Sequence, residues 1–174
     1  MTPPRLSTAL ALLAALLALS ALLGWALDIA ALKRGLASSV AMNPVTAVCL
    51  ALLGLEAFRM NALKAHAALA KAGQLAILVV VAAGLGELSD LIFGTSFAID
   101  ETLFGAALNA EARYPSRMAP NTAACLVLLG VALQLMRGGT DNRVRNAQLL
   151  AALALLTGLL ALAGNLFSAR ELAG

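Results

Sequence analysis

Long apolar stretches dominate this chain and leave few folds open to it. They run over residues 6–27, 44–63, 75–93, 120–136 and 147–167. Each is long enough to cross a hydrocarbon core of about 30 Å. The residues between them cannot compensate, because only 12% of the chain is charged, where a water-soluble domain carries about a quarter. Lipid must therefore solvate the apolar surface that a core of this size cannot bury. Alanine and leucine supply most of that surface and aromatics are only 4% of the chain, which favours helices over a barrel. The expected fold is all-α: one integral membrane bundle over residues 1–174, with five transmembrane helices. The first stretch follows Arg5 like a secretory signal, but its apolar run is too long for one.

The net charge of +3 is scattered and contains no basic block. It predicts topology and gives no reason to expect a nucleic-acid partner. With a cytoplasmic N-terminus, seven Lys and Arg fall inside (Arg5, Arg59, Lys64, Lys71, Arg137, Arg143, Arg145). Five fall outside: Lys33, Arg34, Arg113, Arg117 and Arg170. That bias has the sign expected for an N-terminus inside.

Self-similarity organises the spans. Met42, Pro44, Thr46, Ala47, Cys49, Leu50 and Gly54 recur in register as Met118, Pro120, Thr122, Ala123, Cys125, Leu126 and Gly130. Leu and Ala match cheaply in such a composition, whereas Met, Pro, Thr and Cys do not. The odd-numbered spans also end alike, in Gly24-Trp-Ala-Leu-Asp, Asp90-Leu-Ile-Phe-Gly and Gly164-Asn-Leu-Phe-Ser. The repeating unit is then a helix pair, with unit one over 6–63, unit two over 75–136 and a partial third over 147–174. The third stops where its return helix is due, as a truncated unit would. Pro44 and Pro120 suit the first helical turn, where a missing N–H costs nothing. Asn43 can cap its helix and Ala119 cannot. Such starts are either well-built helix ends or the lining of an external pocket.

These tandem Met-x-Pro-x-Thr-Ala starts resemble the N-terminal membrane region of bacterial sensor histidine kinases and diguanylate cyclases. So do Gly24-Trp-Ala-Leu-Asp-Ile-Ala-Ala-Leu-Lys33 and the stretch from Phe93 to Phe104. The resemblance covers most of the chain. It implies a multi-pass protein of the bacterial inner membrane, an input module feeding a cytoplasmic output domain. It brings no ligand site with it, and this sequence contains no kinase, cyclase or PAS segment.

Among polar residues, Glu87 and Asp90 stand three apart near the outer end of the third span and share a helix face. Carboxylates at that depth are functional unless they reach water. With Thr46, Asn121 and Thr122 they form the candidate ligand-binding set. Glu56 and Arg59 read as an internal ion pair. Cys49 and Cys125, each five residues into its helix, read as small packing residues rather than a redox or metal pair. His66 lies in the basic connection after the second span, so an intramembrane haem has no ligand here. Residues 100–112, with Asp100 as N-cap and a stripe of Leu103, Phe104, Ala107 and Leu108, predict a short amphipathic helix on the outer surface. No nucleophile–base set, phosphate loop or metal cluster occurs, so neither catalysis nor a cofactor or metal is expected.

Two functions fit. One is a membrane-embedded sensory module with an unidentified ligand. The other is a standalone accessory subunit, whose uncovered Ala151, Leu155, Gly158 and Leu162 offer a seam to transmembrane helices of a larger complex or oligomer.

Overall fold

The computed structural model describes residues 4–34, 41–63, 66–94, 103–105 and 118–171. All regular structure among them is helical: α1 (Pro4–Ala26), α2 (Ala30–Arg34), α3 (Pro44–Ala62), α4 (Ala67–Phe93), α5 (Pro120–Met136) and α6 (Asp141–Glu171). Four of these, α1, α3, α4 and α6, are long and apolar enough to cross a membrane, and α5 is apolar and shorter. Large side chains stand in the open along their outer faces, with Leu75, Ile92, Leu155 and Leu160 all more than 60% exposed. A surface of that kind is stable only in a lipid environment.

Helix starts follow the local chemistry. Pro44 and Pro120 both occupy the first turn, and Asn43 Oδ1 accepts from the N–H of Val45 at 2.8 Å and of Thr46 at 3.3 Å. Ala119 gives α5 no such cap. Two helices begin earlier than hydropathy indicates. Helix α4 starts at Ala67 rather than Leu75, and α6 at Asp141 rather than Ala147. Apolar runs mark the hydrocarbon layer, whereas strong helix formers such as Ala67, Ala68, Leu69 and Lys71 extend a helix beyond it. Asp141 favours the positive end of α6.

The bundle is built outward from α3. Helix α1 packs along it, α4 and α5 close its other side, and α6 lies on α5 at the margin. Val45, Cys49, Leu53, Val80, Ala83, Met118, Ala123 and Leu126 form the main buried cluster between α3, α4 and α5. Close approach depends on glycine. A Cβ on Gly54 would stand 2.9 Å from the Ala11 carbonyl oxygen and the Ala15 nitrogen of α1. On Gly130 it would meet Val81 Cγ2 at 2.6 Å, with the Ile77 carbonyl at 3.8 Å.

A feature not foreseen from the sequence is the strap after α1. Asp28 adopts φ +55°, a left-handed cap that Asp tolerates better than most residues. The Ile29 N–H then donates back to the Gly24 carbonyl at 2.9 Å, closing the helix as a Schellman-type end. The short α2 folds against α1 so tightly that a Cβ on Gly24 would lie 2.7 Å from Leu32 Cβ and the Lys33 nitrogen. Most of the surface helix expected over residues 100–112 lies outside the described residues. Its described part, 103–105, turns at Leu103 and Phe104, with Phe104 at φ +56°.

Candidate functional site

At the end of the bundle where α1 finishes and α3 and α5 begin, the described residues line a cavity of about 520 Å³. Two helix N-termini converge on it, so the positive ends of two backbone dipoles meet there. Thr46, buried, and Thr122, half-buried, stand one turn inside α3 and α5 and both line it. Asn43 and Ala119, the two N-cap residues, line it as well. Its apolar wall includes Leu17 and Ala21 of α1, Leu32 of the strap, and Met118.

The strap brings charge to this wall. Lys33 is only 4% exposed. Its ammonium donates to Asp28 Oδ1 at 2.5 Å and stands 4.5 Å from the centre of the Trp25 ring. Trp25, itself buried, donates from Nε1 to the Met42 carbonyl at 2.8 Å, and Met42 N–H donates to the Lys33 carbonyl at 2.9 Å. Trp25 thus ties the end of α1, the strap and the start of α3 into one unit, and the Phe104 ring lies 6.2 Å from it. A buried ammonium needs such partners. The hydrogen bond from Lys33, and then its charge, hold the Asp28 carboxyl below its ordinary value of 3.8. Whatever stability this pair supplies is present above that value and is lost as pH falls through the lowered one. Asp28 itself is 91% exposed, so the pair contributes modestly.

A second polar cluster lies at the opposite end of α3. The buried Glu56 carboxylate accepts from Arg59 Nε at 2.7 Å and Nη2 at 2.6 Å, and from Arg137 Nη1 at 2.6 Å. Arg137 Nη2 also donates to the Ala70 carbonyl at 2.6 Å. One carboxylate therefore holds two guanidiniums and links α3, α4 and α5. Gly73 leaves the room that this carboxylate occupies, since a Cβ there would collide with it. The expected Glu56–Arg59 pair is present; Arg137, 81 residues from Glu56, joins it through tertiary packing.

Of the candidate binding residues, the structure brings Thr46 and Thr122 together. Asn121, Glu87 and Asp90 are half-buried and are not among the described cavity-lining residues; Glu87 and Asp90 each have polar partners. Lys33, Arg34 and Ser20 line the cavity without having been singled out. The nearest signal was Gly24-Trp25 followed by Asp28 and Lys33, which places a ring and an ion pair at one chain reversal. Cys49 is buried and Cys125 half-buried; both are free thiols, and Cys125 Sγ donates to the Ala154 carbonyl at 3.4 Å. His66 is exposed at the start of α4. Comparison with known protein families, with curated proteins and with solved structures finds no match to this chain.

Proposed function

We propose that this chain is a sensory input module of the bacterial cytoplasmic membrane, in which occupation of the cavity is relayed along α3 and α5 to the Glu56 cluster. The observation that carries this reading is that the same two helices serve both sites. Thr46 and Thr122 line the cavity at their N-terminal turns, and Glu56, Arg59 and Arg137 lie at their other ends. A helix displaced at one end moves at the other, and an ion cluster that ties three helices is placed to register that movement. The Lys and Arg bias supports a cytoplasmic N-terminus, which puts the cavity outside and the ion cluster inside. In this reading α5, at 17 residues and so about 26 Å, makes a fifth crossing between α4 and α6. A tandem origin is supported by register. The 66-residue offset that carries Gly24 onto Asp90 also carries Ala11 and Ala15, the α1 contacts of Gly54, onto Ile77 and Val81, the α4 contacts of Gly130.

The relay is tested by filling the cavity. Thr122→Phe and Ala21→Phe variants, with helical content verified by circular dichroism, should change amide exchange at residues 66–73 and 135–139 by about fivefold or more. A change confined to the cavity end would overturn the relay.

One observation favours the accessory-subunit reading. Ala154 packs on α5, whereas Leu155 and Leu162 are 64% and 56% exposed and Gly158 faces open space. In that reading a foreign transmembrane helix fills this seam, held by close packing because lipid removes any hydrophobic drive. Cysteines at Leu155 and Leu162 should then cross-link to one partner in native membranes. Free reaction of both with a lipid-soluble maleimide, and no cross-link, would leave the seam to lipid and exclude the subunit reading.

A further inference from the structure

We propose that the cavity at the head of α3 and α5 binds a small amphiphilic anion, one acidic headgroup on an apolar body. The inference rests on the reading of this cavity as the input site and goes on to its ligand class. Charge points to an anion. Lys33 and Arg34 both line the cavity, and no carboxylate does so among the described residues. Asp28, which accepts from Lys33, is not one of those lining residues and is 91% exposed. The N-terminal turns of α3 and α5 add two positive dipole ends. Asn43 already takes the Val45 and Thr46 N–H groups of α3, whereas the first turn of α5 has no side-chain cap. Thr46 and Thr122 bring hydroxyls to the same place. A cation entering here would meet Lys33, Arg34 and the helix ends with the wrong sign, whereas the two hydroxyls can face either charge.

Apolar lining points to the body. Leu17, Ala21, Leu32 and Met118 form a wall on which a fully hydrated ion would leave its water unreplaced. Leu17 lies one helical turn, about 6 Å, deeper along α1 than Ala21, so an alkyl body has a groove to follow while its head stays by the strap. The volume of about 520 Å³ falls within the range of small-molecule sites. An anionic amphiphile free in solution and an acidic headgroup of the surrounding bilayer share this chemistry.

Trp25 supplies the readout. It is the only tryptophan of the chain, and the Lys33 ammonium stands 4.5 Å from its ring centre. An anion drawing on Lys33 changes the field at that ring. The full chain is placed in phosphatidylcholine nanodiscs and titrated with decanoate, decanol, decyltrimethylammonium and acetate. The expected result is a saturable change in Trp25 emission with decanoate, at least about tenfold weaker with each of the other three. Arg34→Gln and Thr122→Val should weaken decanoate binding about fivefold, with Lys71→Gln as an unaffected control. These two variants do not depend on Lys33, whose loss would loosen the strap. Repeating the titration in nanodiscs containing phosphatidylglycerol separates the sources. Emission already at the decanoate end point, with no further titration, identifies the bilayer headgroup; an undiminished titration identifies a free amphiphile. Equal binding of decanol and decanoate would overturn the anionic class while leaving the input site in place. No response to any probe, in the wild type as in the cavity-filled Thr122→Phe variant, would overturn both.

Discussion

Replacing Glu56 with leucine is expected to destabilise the folded bundle by about 3 kcal/mol, the low end of the range for breaking a buried ion pair. The carboxylate is 2% exposed, and the Arg59 and Arg137 side chains that it binds are 14% and 18% exposed. Without it, two guanidiniums face each other at the same depth with only the Ala70 carbonyl still accepting from Arg137. Long arginine stems let the charges reach toward the interface, which keeps the cost from the upper end of the range. The triple variant Glu56→Leu, Arg59→Leu, Arg137→Leu removes the charges together and should recover most of the loss, because an apolar replacement of a whole buried cluster is often neutral. Reversible unfolding in mixed micelles, followed by circular dichroism, measures both. A single variant within about 0.5 kcal/mol of wild type, the ordinary range of surface changes, would mean that water already reaches the cluster.

The two ends of α3 show what a sequence carries and what it does not. Its start was legible because it is local: Pro44 fits the first turn and Asn43, the residue before it, caps it. The Glu56–Arg59 pair was legible for the same reason, since residues three apart share a helix face. Arg137 was not, because its place beside Glu56 follows from how α5 packs on α3, and no local pattern encodes that. The strap shows the limit more sharply. Lys33 counts as a topological charge when read by hydropathy, yet it is buried against Trp25. Its burial depends on a left-handed Asp28 and on the absence of a side chain at Gly24, neither of which has a period to detect. Of the cavity, Thr46 and Thr122 were visible because they repeat in register, while Asn121, Glu87 and Asp90 are not among its described lining residues. The rest of the lining comes largely from the strap and from α1, which meet the threonines only in three dimensions.

Glycine substitutions give the second large effect, and their order is the test. Gly54→Ala puts a methyl 2.9 Å from two backbone atoms of α1, the Ala11 carbonyl oxygen and the Ala15 nitrogen. Backbone in a helix cannot step aside alone, so α1 and α3 must part along their length. Overpacking of this kind costs about 1–3 kcal/mol, offset by up to about 1 kcal/mol of helix propensity gained on replacing glycine. At Gly130 the obstacle is Val81 Cγ2 at 2.6 Å, the end of a side chain that can rotate, so the alanine variant should lose less. Gly158 faces nothing within 4 Å, and there alanine should be neutral or stabilising. The expected order of loss is therefore Gly54 first, Gly130 next and Gly158 last, read as unfolding midpoints in one detergent. Only the first should also disturb the far end of α1. Leu17, Ser20 and Ala21 line the cavity from that helix, and Trp25 is bonded from it to the Met42 carbonyl. A helix pushed off α3 loosens that bond and exposes the ring, so Gly54→Ala should shift Trp25 emission to the red while Gly158→Ala leaves it unchanged. A Gly54 variant as stable as the Gly158 variant, with emission unmoved, would mean that α1 does not rest on α3 at this contact, and the cavity would lose the wall it takes from α1.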